Sequence, residues 1–219
     1  MKYKKIIISF FVISILIGVF FSIYFHSDFK LDRSSKGIII NYIDNGKISS
    51  VSNLVPISEE EIWGNGEYII IEGKVEKVNN IKIRFGSEKE YGALLTVKIN
   101  NVLRGTIDSA VINIFVDMCF DKGVYYEDAG VLSSVEIGDN GIFIIRKYLD
   151  TDVWEENEKI LYMNEIAEYG FEDAERFAFV EKGSKVIFSP IYENIPNNST
   201  LSEVHNYIME QIKERKHYE

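Results

Sequence analysis

Apolar and polar residues are spread very unevenly along this chain. Residues 6–25, IIISFFVISILIGVFFSIYF, hold no charge and no proline, and their only polar members are Ser9, Ser14, Ser22 and Tyr24. As a helix this run reaches roughly 30 Å, the thickness of a hydrocarbon core. A helix packed on a globular core carries one polar face, and this run has none. The pattern therefore predicts a membrane-directed helix. Lys2, Lys4 and Lys5 precede it, as they would in a signal peptide. Its length exceeds the roughly 7–15 apolar residues of such peptides, and no small-x-small triplet follows. No cysteine follows to carry a lipid. These features favour a retained single-pass anchor over residues 1–26, with secretion as the outcome if the segment is cleaved. Lys30, Arg33 and Lys36 balance the flanking charge. The tight cluster at the start favours an N-terminus held inside, with the following domain extracytoplasmic.

Residues 27–57 read as a linker, with a hairpin signal at Asn45-Gly46 between two apolar runs. Ser58 and Glu61 form a capping box for a short helix containing Ile62 and Trp63, ended by Gly64 and Gly66. From Glu67 the period changes to two. Ile69, Ile71, Gly73 and Val75 share one face, and Glu72, Lys74 and Glu76 the other. A glycine in mid-strand predicts a bend or a close backbone approach. IKIRF, after Asn79-Asn80, reads as a second strand. LLTVKINNVL reads as a third, with a bulge at Asn100-Asn101, and AVINIFVDM as a fourth. Asp139-Asn140-Gly141 turns into a fifth, IFIIRKYL. Five long, curved strands over residues 58–150 favour a small closed barrel. In the 151–219 extension, residues 153–169 carry a partial helical stripe including Trp154, Ile160, Leu161 and Ile166. A hairpin is expected around Lys182-Gly183-Ser184. Thr200 and Glu203 box the start of an amphipathic helix with Leu201, Val204, Ile208 and Ile212 on one face.

Three pieces carry a family likeness: IEGKV at 71–75, TVKINNVLRG at 96–105 and GIFIIR at 141–146. Their order and spacing over about residues 59–149 resemble the OB-fold-like domains of secreted or membrane-anchored proteins of Gram-positive bacteria. A more distant similarity is to netrin-type modules and tissue metalloprotease inhibitors. The resemblance implies a mainly β fold with flanking helices: an N-terminal transmembrane helix, a five-stranded OB-like barrel and a C-terminal amphipathic helix. It also implies a non-enzymatic domain. The inhibitors act through an N-terminal cysteine, which is lacking here, so no inhibitory residue is carried over.

Charge narrows the partners. Residues 1–36 hold 6 basic and 2 acidic side chains, leaving 18 basic and 32 acidic in the rest. Such an acidic domain repels phosphate backbones, which argues against nucleic acid. Cys119 is the single cysteine, so no intrachain disulfide forms, and its place in INIFVDMCF reads as a buried structural thiol. His26, His205 and His217 show no zinc-ligand spacing, and His205 reads as a solvated helix residue. No G-x-S-x-G turn and no P-loop occurs, and Gly64-Asn65-Gly66 ends a helix. Asp117, Asp121, Glu127 and Asp128 could offer oxygen ligands to Ca²⁺, although a solvated acidic loop is the simpler reading. Tyr125-Tyr126 is the candidate contact patch, against the plainer reading of rings folded over the barrel end.

Together these readings predict a non-catalytic, extracytoplasmic binding domain tethered to the cell membrane by its N-terminal helix, with a protein or envelope component as partner. The alternatives are a membrane-anchored hydrolase using paired carboxylates and a structural subunit of an envelope assembly. No catalytic residue, metal site or cofactor is expected.

Overall fold

The computed structural model describes residues 11, 13–15, 26–44, 57–120, 130–173 and 175–215. Ten strands and two helices are labelled here in chain order: β1 (Ile38–Ile43), α1 (Glu59–Gly64), β2 (Tyr68–Phe85), β3 (Glu88–Arg104), β4 (Val111–Val116), β5 (Asn140–Lys147), β6 (Val153–Glu156), β7 (Lys159–Tyr162), β8 (Tyr169–Gly170), β9 (Ala178–Lys182), β10 (Lys185–Ile187) and α2 (Leu201–Arg215).

Eight strands form one sheet in the order β1-β2-β3-β4-β8-β5-β9-β10, and β2 also pairs with β5. The β4–β8 pairing is parallel, so the sheet is mixed. The strands β6 and β7 stand apart as a two-stranded sheet. This corrects the expected five-stranded OB-like barrel. The sheet runs past β2 to β1 and past β5 to β9 and β10, so β1 and β10 are its terminal strands.

The membrane expectation is also corrected. Among the described residues no helix is long and apolar enough to cross a membrane. Phe11 and residues 13–15 are helical, and most of the 6–25 run lies outside the described residues. The tether, the membrane as partner and the single-pass extracytoplasmic placement therefore lose their structural basis. The Asn45-Gly46 hairpin signal also lies outside the described residues.

The second expected strand is not separate. β2 runs unbroken for 18 residues through Asn79-Asn80. The Asn80 side-chain amide donates to the Phe120 carbonyl at 2.9 Å, and its carbonyl oxygen accepts the Phe120 N–H at 2.8 Å. That long-range pair satisfies the asparagine in mid-strand, so no turn forms. β2 also changes partner along its length. Its first part, from Tyr68 to Lys74, pairs with β5, and its last, from Asn80 to Phe85, with β1. A register shift between Glu72 and Gly73 leaves Asn100 extra on β3, where a bulge was expected. A Cβ at Gly73 would lie 2.7 Å from the Lys98 carbonyl oxygen, which explains the mid-strand glycine.

Residues 153–169 form no helix. They make the β6–β7 hairpin, with Asn157 (φ 49°) and Glu158 (φ 58°) in its turn, followed by a single 3₁₀ turn at Met163–Glu165. Trp154 and Leu161 lie opposite each other on one face. Leu161 is fully buried, and the Trp154 ring sits 5.5 Å from Phe85 and 6.4 Å from Phe115. Packing on the far end of β2 thus selects the period-two pattern over the helical one.

Three apolar clusters hold the fold. One includes Ile71, Leu95, Ile114, Phe143 and Val180 on one face of the sheet. The second joins Ile70, Ile142 and Phe179 to Trp63 of α1 and to Val204, Ile208 and Ile212 of α2. The third seats the β6–β7 hairpin against Ile40, Ile83 and Phe115. Local signals start both helices. The Ser58 hydroxyl accepts the Glu61 N–H at 3.2 Å and the Glu61 carboxylate accepts the Ser58 N–H at 2.7 Å. Thr200 and Glu203 repeat the arrangement for α2. The two helices meet at Glu59, whose carboxylate accepts the Trp63 indole N–H and the Tyr207 hydroxyl.

Candidate functional site

Among the described residues, those singled out from the sequence form no common site. Cys119 is buried and its thiol donates to the Gly92 carbonyl at 3.3 Å, as a structural thiol would. His26 is exposed, and its carbonyl accepts the Asn41 side-chain N–H. His217 lies outside the described residues. So do Tyr125-Tyr126 and three of the four acids of the suggested calcium group. The fourth, Asp117, keeps contact with solvent, but surrounding protein and then Glu90 raise its pKa. Among the described residues no group of three or more His, Cys, Asp or Glu could hold a metal ion.

His205 corrects the sequence reading. It is only partly exposed, and its Nδ1 lies 2.8 Å from the Glu72 carboxylate, which ties α2 to β2. A cleft of about 680 Å³ opens between the end of β1 and the middle of β2. Its described lining residues are Tyr42, Ile43, Asp44, Val78, Asn79 and Asn80. Among the described lining residues there is one carboxylate, that of Asp44.

The β6–β7 hairpin presents a different kind of site. Its outer side along β7 is closed by the segment that precedes β1. The Ser35 N–H donates to the Ile160 carbonyl at 2.8 Å, the Ile160 N–H to the Ser35 hydroxyl at 2.9 Å, and the Tyr162 N–H to the Ser34 hydroxyl at 3.0 Å. Glu165 locks that segment in place. Its carboxylate accepts the N–H groups of Asp32 and Arg33, both at 2.7 Å, and of Ser34 at 3.0 Å. Burial works to raise the Glu165 pKa, but the Ser34 hydroxyl and these N–H donors outweigh it and leave the carboxyl below its usual range. The Arg33 guanidinium lies 4.5 Å above the Tyr162 ring.

These bonds settle which way each backbone group of the hairpin points. Successive residues of a strand direct their N–H and C=O to opposite edges. Ile160 and Tyr162 point outward, so Lys159 and Leu161 point inward at β6. Their register partners are Glu156 and Trp154. The remaining β6 residues, Val153 and Glu155, therefore turn their N–H and C=O groups away from β7. Among the described residues none of these groups has a bond to another strand or side chain. Both side chains are exposed as well, Val153 by 38%. The edge is held rigidly from behind, by Trp154 in the third cluster and by Asp152 at its start. Asp152 accepts both terminal nitrogens of Arg146, at 2.9 and 3.1 Å, and the Leu149 N–H at 2.6 Å.

Sequence reasoning missed this edge because it assigned residues 153–169 to a helix. Val153-x-Glu155 facing Ile160-x-Tyr162 across Asn157-Glu158 is compatible with a two-residue hairpin, and Asn157 tolerates positive φ. No local feature shows that Ser34 and Ser35 cover one edge of it and leave the other open.

No family model, no curated protein and no solved structure matches this chain. The site is therefore read from its own geometry.

Proposed function

We propose that this chain is a non-catalytic interaction module that receives an extended segment of a partner on the outer edge of β6. The observation that carries the reading is the pair of outward-facing backbone units at Val153 and Glu155, on a hairpin whose other edge is already closed. A strand added there gains main-chain hydrogen bonds without disturbing the ladder to β7. The short length of β6 keeps the gain modest, which suits a reversible contact.

The test is residue-resolved amide exchange on the full 219-residue chain, alone and with blocked extended peptides of acidic, neutral and basic composition. At least one class is expected to slow exchange at Val153 and Glu155, while Ile160 and Tyr162 stay unchanged because Ser35 and Ser34 already hold them. Glu155→Pro removes one outward donor and leaves the β7 ladder whole, so it should abolish the slowing with the hairpin intact. Unchanged exchange with every peptide overturns the reading.

A further inference from the structure

The carboxylates around the β6 edge identify its occupant more closely. Between residues 150 and 159 there are five, Asp150, Asp152, Glu155, Glu156 and Glu158, against the single Lys159. Two of them are committed. Asp150 pairs with Arg33 at 2.9 Å and Asp152 with Arg146. Lys159 donates to the Lys36 carbonyl at 2.9 Å and lies on the closed side. Glu155, Glu156 and Glu158 have no cationic partner among the described residues.

Strand geometry decides how these free carboxylates act. Glu155 and Glu156 are adjacent, so their side chains leave the strand on opposite faces. They cannot close on one metal ion. An incoming strand, by contrast, has side chains on both faces, and its successive residues can meet both carboxylates at once. A second copy of this chain is disfavoured, because pairing β6 with β6 crowds the same carboxylates together, and like charges across a strand pair destabilise it.

We infer that the occupant is a basic extended segment of a partner protein, paired antiparallel with β6. In that register two adjacent Lys or Arg side chains lie opposite Glu155 and Glu156. A β-branched residue, two places beyond the one facing Glu155, packs beside Val153. The carboxylates that deter self-pairing thus select the partner. This inference rests on the docking role proposed for β6 and adds the chemistry of the ligand.

The experiment uses the full chain and three blocked eight-residue peptides that share one threonine-rich, valine-containing sequence. They differ only at the two adjacent positions, which are lysine, glutamine or glutamate. The lysine peptide should slow exchange at Val153 and Glu155 and bind about tenfold more tightly than the glutamate peptide at low salt, with the advantage shrinking as salt rises. The double variant Glu155→Gln, Glu156→Gln should weaken the lysine peptide about three- to tenfold and leave the glutamine peptide unchanged. Equal binding of all three peptides overturns the basic preference and leaves the docking edge standing. No protection by any peptide overturns docking itself. Protection already present in the isolated chain also overturns both if it is independent of concentration, because the edge is then filled by the chain's own residues. Protection that grows with protein concentration overturns the partner assignment in favour of a second copy.

Discussion

Asp152 grips Arg146 with both carboxylate oxygens, 2.9 and 3.1 Å from its two terminal nitrogens, and this pair fixes where β6 begins. Arg146 lies on β5 and Asp152 immediately before β6, so the main sheet and the hairpin are joined by charge at that point. A second carboxylate, Glu172, reaches the Arg146 Nε at 2.5 Å and accepts the Tyr68 hydroxyl. The hydrogen bonds from Arg146 hold the Asp152 carboxyl below its usual range despite partial burial. A depressed carboxylate contributes stability that is present above its unfolded value, near 3.8, and is lost as pH falls through the folded value.

Asp152→Asn should therefore lower stability by about 2 kcal/mol at neutral pH, the scale of a charge-assisted pair that is partly buried. The difference between the variant and the native chain should shrink below about pH 4 and vanish under strong acid. Urea unfolding at a series of pH values measures it. A difference that stays constant down to pH 2 would show that the ionised carboxylate is not what stabilises the corner.

Gly73→Ala should destabilise the sheet by about 2 kcal/mol or more. The added Cβ meets the Lys98 carbonyl oxygen and Val97 Cγ1, each at 2.7 Å, and the backbone oxygen cannot rotate aside. Gly66→Ala serves as the control, because nothing lies within 4 Å of a Cβ there. Thermal melts of the two variants should separate clearly.

Asn80→Ala should cost about 1–3 kcal/mol, because it leaves the Phe120 N–H and C=O without the partners that Asn80 supplies. Asn80→Asp keeps an acceptor for the N–H and loses the donor, so it should fall between the two. Amide exchange at Phe120 should quicken most in the alanine variant.

Trp154→Ala should release the hairpin from Phe85 and Phe115 and lower stability by about 3 kcal/mol. Exchange at the Ile160 and Tyr162 amides should quicken with it, since their closure by Ser35 and Ser34 depends on the hairpin staying seated. A variant that loses stability without that quickening would separate the ring packing from the edge it supports.

Residues a few positions apart determined much of this structure. The Ser58–Glu61 and Thr200–Glu203 boxes lie within one helical turn, and the helices start where those boxes stand. Gly73 and the extra Asn100 announced the close approach and the bulge through strand parity alone. The buried Cys119 followed from the apolar run around it.

What only the tertiary structure decided lies in contacts between distant residues. Asn79-Asn80 resembles a turn until Phe120, 40 residues away, satisfies Asn80 and lets β2 continue. The run after Asp152 fits a helix or a hairpin until Trp154 finds Phe85 and Phe115. The barrel reading failed because strand lengths and bulges do not specify which strands adjoin, whereas the parallel β4–β8 pair and the added β1, β9 and β10 do. The closure of the β7 edge depends on Ser34 and Glu165, 131 residues apart. Side-chain alternation is written in each strand by its own backbone, but whether an edge is covered depends on which other segment reaches it.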